Sequence, residues 1–267
     1  MDARPGARVG DPGDRVDGGF FMRVVILGAT RGMGRTLARQ LAPREDVSMF
    51  LLGRDEAELA SSAADLTVRG RRGTVGYAVC DLADPAGFED AIQAADAALD
   101  GFDTVIVTAG LFGTQERLEQ DVEFALRLLV VNHASTVIFC EHVRKYLLAR
   151  GGGTLAVFSS VAGDRGRKPV AIYGSSKAGL SHYLESIDHA HRRQGLITLC
   201  IKPGFIKTGM TAGLTPPPFA GEPEQVAADV IRAVENGKPV LYTPRMWALV
   251  MWVIRRLPRY VMRRIGF

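Results

Sequence analysis

The regular alternation of short, mostly apolar runs with longer helical stretches constrains this chain more than any other feature. Val24-Val25-Ile26-Leu27 leads into glycines and then into a helical pattern through Leu37, Ala38 and Leu41. Runs at Val47 to Leu52, Val75 to Val79, Asp103 to Thr108, Leu155 to Ser159, Ile197 to Ile201 and Val240 to Thr243 repeat the arrangement. Helical patterns separate them, the last over 223–236. A strand that is apolar on both sides needs cover on both, which parallel strands obtain from their crossover helices. The expected class is therefore α/β, a doubly wound parallel sheet in a single domain spanning 22–243. A chain of 267 residues is long enough to bury such a core without disulfide or metal.

The flanks differ in kind. Residues 1–21 hold five glycines and two prolines among Asp and Arg. They lack the continuous apolar stretch of a secretory signal. They read as a disordered tail, or as the product of an upstream start with Met22 as the true beginning. At the other end, 244–267 reads as an amphipathic helical segment. Met246 to Ile254 is nine apolar residues in a row, including both tryptophans. Arg245 precedes the run and Arg255, Arg256, Arg259, Arg263 and Arg264 follow it. A bilayer span takes about 20 residues, so this run is too short to cross one. Two readings stay open: a helix lying in a membrane interface, or a helix packed on the domain or on a second subunit with its arginines solvated. The net charge of +4 is smaller than the charge of those six arginines. It gives no reason to expect nucleic acid as a partner. Three scattered cysteines, Cys80, Cys140 and Cys200, with no zinc-type spacing, suggest reduced thiols in a cytoplasmic protein and no metal site. Binding of the C-terminal segment to lipid would place the protein peripherally at the inner face of the membrane.

The first chemical signal is Gly28-Ala-Thr30-Arg31-Gly32-Met33-Gly34, directly after a strand and directly before a helix. Glycines there allow a tight turn and a close approach of backbone to a pyrophosphate, while the helix start offers free N–H groups. The end of the second strand reads Leu52-Gly53-Arg54, where readers of a free ribose 2′-hydroxyl usually carry an acid. Arg54 and Arg31 are instead suited to a 2′-phosphate, which favours NADPH. Asp55 reads as a helix N-cap. Tyr173 and Lys177 stand one helical turn apart on one face. A phenol ordinarily titrates at about pH 10 and needs a neighbouring cation to serve at neutral pH, and Lys177 is placed to be that cation. Ser160 closes the fifth strand, where ligands of open α/β sheets bind. Asn132 lies in an apolar helical stretch where its amide needs a partner. The proline-rich segment Thr215 to Phe219 reads as part of a substrate lid, or as a rigid linker.

Gly28-x-x-x-Gly32-x-Gly34, Asp81-Leu82, Ala109-Gly110, Asn132, Ser160, Tyr173-x-x-x-Lys177 and Pro203-Gly204 together resemble the short-chain dehydrogenase/reductase family in order and spacing over residues 23 to about 243. The resemblance implies a Rossmann sheet and an oxidoreductase of the CH-OH/C=O type. It implies that Ser160 orients a carbonyl, that Tyr173 is the general acid, and that Lys177 lowers the tyrosine pKa and holds the nicotinamide ribose. Asn132 would seat a water of the proton relay. Asp81 and Leu82 would face the adenine, Ala109-Gly110 would line the cofactor, and Pro203, Gly204 and Thr208 would contact its nicotinamide end. Leu27, Met33 and Thr108 depart from the usual Thr, Ile and Asn. Tyr242-Thr-Pro with the segment behind it, and Ser160-x-x-Gly163-Asp-Arg-Gly-Arg, look like a bacterial subgroup that includes the decaprenylphosphoryl-2-keto-ribose reductase. A lipidic or lipid-linked keto-sugar ketone would then be the substrate, lipid metabolism the setting, and a homodimer or homotetramer the assembly. The alternatives are a non-catalytic NADP-binding sensor or scaffold, which an intact Ser-Tyr-Lys set argues against, and a dehydrogenase working toward oxidation.

Overall fold

In the computed structural model, residues 21–70 and 73–265 are described, so the expectation for the tail over 1–21 lies, but for Phe21, outside the described residues. Seven strands make one sheet in the order β3-β2-β1-β4-β5-β6-β7. They are β1 (Met22–Leu27), β2 (Val47–Gly53), β3 (Gly76–Val79), β4 (Thr104–Val107), β5 (Gly153–Phe158), β6 (Leu196–Pro203) and β7 (Val240–Thr243). Every neighbouring pair is parallel. The chain winds from β1 out to β3 and then crosses back to β4 on the other side of β1. The loops leaving β1 and β4 therefore turn opposite ways and open a crevice at the carboxyl ends of the strands.

The apolar runs follow from cover on both faces. On one side Val24, Ile26, Leu51, Ile106 and Leu199 pack with Leu37 and Leu41 of α1 (Gly32–Leu41), Leu59 and Leu66 of α2 (Glu56–Arg69), and Val226 and Val230 of α8 (Pro223–Glu235). On the other, Val25, Leu27, Leu52, Val105 and Val157 meet α3 (Phe88–Leu99), α6 (Thr136–Ala149) and α7 (Ala171–His191). Each fully buried side chain of this size contributes about 1.5–3 kcal/mol. The two edge strands break the pattern, since an edge has no further neighbour to shield it: Tyr77 and Val79 of β3 and Val240 of β7 are exposed. Asp55 accepts the Glu58 N–H at 2.9 Å as the N-cap of α2, as the sequence implies.

Two shorter helices, α4 (Gln115–Gln120) and α5 (Val122–Leu129), follow β4. Between α5 and α6 the segment Val130–Ser135 is wound as a π-helix, a distortion common at functional sites. The stretch Val122–Ala149 is long and apolar enough to cross a membrane by composition. Here Leu128, Phe139, Cys140, Val143 and Leu147 pack into the core, while Val122, Leu126 and Ile138 are exposed. The C-terminal residues form α9 (Met246–Arg256) and α10 (Arg259–Arg264).

Candidate active site

The crevice is lined on one side by backbone. Gly28 has φ +91°, and a Cβ there would stand 2.7 Å from both Ala109 N and Thr108 Oγ1. A Cβ on Gly34 would overlap the Gly28 carbonyl. The Thr108 hydroxyl reaches the Leu27 and Gly28 carbonyls at 2.9 and 3.1 Å. The threonine that departs from the family pattern therefore ties β4 to the turn directly. Arg31 is the N-cap residue of α1, but no side chain caps the helix and its first turn carries no acid. The free N–H groups and the positive end of the helix dipole are left for a ligand. Gly32 has φ +50° with nothing within 4 Å of a Cβ, so the space beside the turn is open. Met33 packs against the core. These features fit a dinucleotide pyrophosphate.

The two arginines assigned to the 2′-phosphate stand differently. Arg54 is exposed and makes no ion pair among the described residues. Arg31 pairs with Glu58, which holds the Glu58 carboxyl below its usual range; Thr30 adds a further hydrogen bond to Glu58. Glu58 is a competitor that the motif reading does not include. Asp81, just past β3, accepts the Ala83 N–H at 2.9 Å, and Leu82 is buried.

Side chains build the other side. Ser160 caps a short helical turn by accepting the Ala162 N–H at 3.1 Å, and its hydroxyl also engages the Tyr173 phenol. Its neighbour Ser159 is turned away, donating to the Lys177 carbonyl at 2.9 Å. Phe112 meets the Tyr173 ring edge-on, with centroids 5.2 Å apart. Lys177 is buried, donates to the Phe158 carbonyl at 2.8 Å, and lies 6.0 Å from the Tyr173 ring centroid. Burial pushes the phenol up to about 12, although Ser160 pulls it down, and burial brings the Lys177 ammonium down to about 8. In the chain alone desolvation dominates the tyrosine, and the ammonium is hydrogen-bonded to the Phe158 carbonyl. Asn132 is fully buried, and both ends of its amide bind the backbone of Leu111 at 2.7 Å. Its side chain pins the loop after β4. A Cβ on Gly110 would come within 3.2 Å of Asn132 Oδ1 and 3.7 Å of Lys177 Nζ. Ala109-Gly110 therefore touches the glycine turn at one end and the lysine at the other, so cradle and side-chain cluster form one continuous site.

Beyond Ser160 the wall comes from parts that motif reading misses. A Cβ on Gly163 would strike the backbone of α7 at Lys177, so this loop lies flat on the helix carrying Tyr173 and Lys177. Asp164 accepts the Lys202 ammonium and the Tyr242 hydroxyl, each at 2.7 Å, which locks the loop to β6 and β7. Nε of Arg167 is buried without a hydrogen-bond partner. Arg165 reaches the Leu257 carbonyl at 3.0 Å and Lys168 the Arg263 carbonyl at 2.7 Å, so the C-terminal helices sit on this loop. Val161 is buried with Met251 and Ile254 of α9. Pro203 ends β6, and the Trp247 ring occupies the space where Gly204 lacks a side chain. Thr208 precedes the turn Gly209–Thr211, and its N–H donates to Thr211 Oγ1 at 3.1 Å. The segment after that turn is held at its base by the Gly221 N–H to the Phe205 carbonyl at 2.8 Å, and two residues earlier by Trp247 Nε1 to the Phe219 carbonyl at 3.2 Å. The Arg167 and Asp164 positions are visible in the Asp-Arg-Gly-Arg run; Trp247 and Phe112 carry no signal beyond being apolar.

The short chain dehydrogenase family pattern matches residues 22–218. An uncharacterized oxidoreductase of Mycobacterium tuberculosis is 36% identical over 91% of this chain and 96% of its own length. Among solved structures, a short-chain type dehydrogenase/reductase from Mycobacterium ulcerans superposes with a TM-score of 0.75 at 21% identity, covering 91% of this chain and 98% of that one. An actinorhodin polyketide ketoreductase variant solved with NADPH gives a TM-score of 0.72 at 21% identity, over 83% of this chain and 95% of its own.

Proposed function

The chain belongs to the short-chain dehydrogenase family of NAD(P)(H)-dependent oxidoreductases, and on that premise we propose that it is an NADPH-dependent reductase that turns a ketone into a secondary alcohol. The observation that carries the reading is Gly110, whose missing side chain brings the nucleotide cradle against Asn132 and Lys177. Gly28, Thr30, Gly32, Met33 and Gly34 would hold the pyrophosphate, Arg54 and Arg31 the 2′-phosphate, Asp81 and Leu82 the adenine end, and Ala109, Gly110, Pro203, Gly204 and Thr208 the nicotinamide half. When bound, the nicotinamide supplies the hydride.

The chain's own residues manage the oxygen. Ser160 has one lone pair engaged by the Ala162 N–H and can turn its O–H to the substrate carbonyl. Tyr173 gives that oxygen a proton as negative charge builds on it. With burial holding its phenol at about 12, Tyr173 is protonated at neutral pH, the state a general acid needs. Lys177, at about 8, is mostly charged there, and its ammonium eases the phenolate left behind. Asn132, whose amide pins the Leu111 backbone, would seat a water of the proton relay.

For the substrate, the reading extends to a lipidic ketone or a lipid-linked keto-sugar, as in the decaprenylphosphoryl-2-keto-ribose reductase subgroup. The unpartnered Arg167 nitrogen before Tyr173 supports a substrate that carries an anionic group, and the exposed apolar side chains of Met210, Leu214 and Phe219 after β6 support one that is greasy. The same reading has the protein cytoplasmic and assembled as a homodimer or homotetramer, with exposed Val122, Leu126 and Ile138 on the long helix as an available face. The test is NADPH consumption against lipidic ketones, keto-sugars and steroids. Oxidation of NADPH by wild type and not by Tyr173→Phe supports the proposal; equal rates in both overturn the mechanism.

A further inference from the structure

The helix α9 has two apolar faces, and the fold uses one. Trp247, Val250, Met251 and Ile254 recur at helical spacing and pack on Val161 and Tyr242. On the opposite side Leu249 is 57% exposed, Trp252 51% and Val253 45%, and Tyr260 of α10 is 62% exposed. Phe219, whose carbonyl accepts from Trp247 Nε1, is exposed as well, as are Met210 and Leu214 nearby in sequence. Contiguous exposed apolar side chains of this kind mark an interaction surface. Around them stand Arg245, Arg255, Arg256, Arg259, Arg263 and Arg264, all exposed, with no acid between 245 and 267. None of the six makes an ion pair among the described residues, and the Arg256 guanidinium lies 4.1 Å above the Trp252 ring.

This combination selects its occupant. A second copy of the chain would bring the same unneutralised positive charge to the contact. A nucleic acid would satisfy the arginines and leave Leu249 and Val253 facing water. An anionic bilayer meets both, with apolar and aromatic side chains at the acyl boundary and guanidinium groups at the phosphates. The helix of 11 residues suits lying in the interface and not crossing it. We propose that the outer face of α9 and α10, with Phe219 and its lid segment, docks on an anionic phospholipid surface. Because the inner face of the same helix packs on the loop between Ser160 and Tyr173, docking sets the entrance of the site against the lipid. That last step rests on the reductase reading; the docking itself does not.

The experiment uses the full chain with vesicles of phosphatidylcholine alone or mixed with phosphatidylglycerol. Co-sedimentation and tryptophan emission are read, and circular dichroism checks the fold of every variant. The Trp247→Phe variant leaves Trp252 as the single reporter. The proposal expects partition onto the mixed vesicles that falls with added salt, and a blue shift of Trp252 on binding. Leu249→Glu with Val253→Glu lowers partition at least about tenfold, and Arg255→Ala or Arg256→Ala lowers it about fivefold each. Val68→Glu, at an exposed apolar position on α2, changes nothing. Failure to sediment with mixed vesicles overturns the proposal, as does sedimentation indifferent to the Leu249 and Val253 changes. A concentration-dependent dimer broken by those same changes would assign the face to a second copy instead. None of these readouts needs turnover, so a protein that docks and does not oxidise NADPH separates the two proposals.

Discussion

The two sides of the crevice are made of different material. The glycine turn is a site built by subtraction. Gly28 and Gly34 supply room, α1 supplies uncapped N–H groups, and no side chain need point at the ligand. The Ser160 side is built by addition, with working side chains each held in place: Asn132 by the Leu111 backbone, Lys177 by the Phe158 carbonyl, and Asp164 by the side chains of Lys202 and Tyr242. A backbone site tolerates little change in shape and is indifferent to charge tuning. A side-chain site keeps its shape under substitution and responds mainly through protonation.

Substitutions can break that contrast. Gly34→Ala brings a Cβ into the Gly28 carbonyl, and we expect it to destabilise the fold by about 1–3 kcal/mol and to abolish NADPH binding. Thermal melts and equilibrium titration check this; an unaltered dissociation constant would mean the turn is not the phosphate site. Lys177→Met should remove turnover yet stabilise the protein at neutral pH, because it deletes a buried ammonium. The sign follows from a folded pKa of about 8 against 10.5 in the unfolded chain. Below pH 8 both states hold the proton and the burial cost is present in full. Between 8 and 10.5 only the unfolded state still holds it, so wild-type stability rises with pH toward the variant's. The gap, roughly 3 kcal/mol at most, should close over that window in denaturant titrations; a constant gap contradicts the assignment.

Smaller effects sharpen the nucleotide end. Arg54→Ala should raise the KM for NADPH roughly tenfold and leave NADH nearly unchanged, about the worth of one charge-assisted contact. An equal rise for both cofactors would remove Arg54 from the 2′-phosphate. Gly32→Ala should cost only about 1–2 kcal/mol through its positive φ, since no atom lies in the way. The two glycine substitutions separate overlap, at Gly34, from backbone strain, at Gly32.

Legibility in the sequence follows the same division. The strands, the glycine turn and the N-cap role of Asp55 depend on local apolarity and backbone geometry, which a linear reading captures. Charge at Tyr173 and Lys177 depends on how deeply the fold buries them, and proximity along a helix does not reveal depth. Arg31 reads as free until α2 packs beside α1 and brings Glu58 to it. The C-terminal segment is ambiguous in sequence for a physical reason: its nine apolar residues serve a packed face and a bare one at once.

The most direct measurement is made on Tyr173→Phe, with the NADPH dissociation constant and the single-turnover rate on one ketone read from the same preparation. If the crevice is divided as described, the dissociation constant stays within about twofold of wild type while the rate falls by about 10²–10⁴. A variant that binds NADPH as well and turns over at the wild-type rate would contradict the account, and so would one that loses cofactor and turnover together.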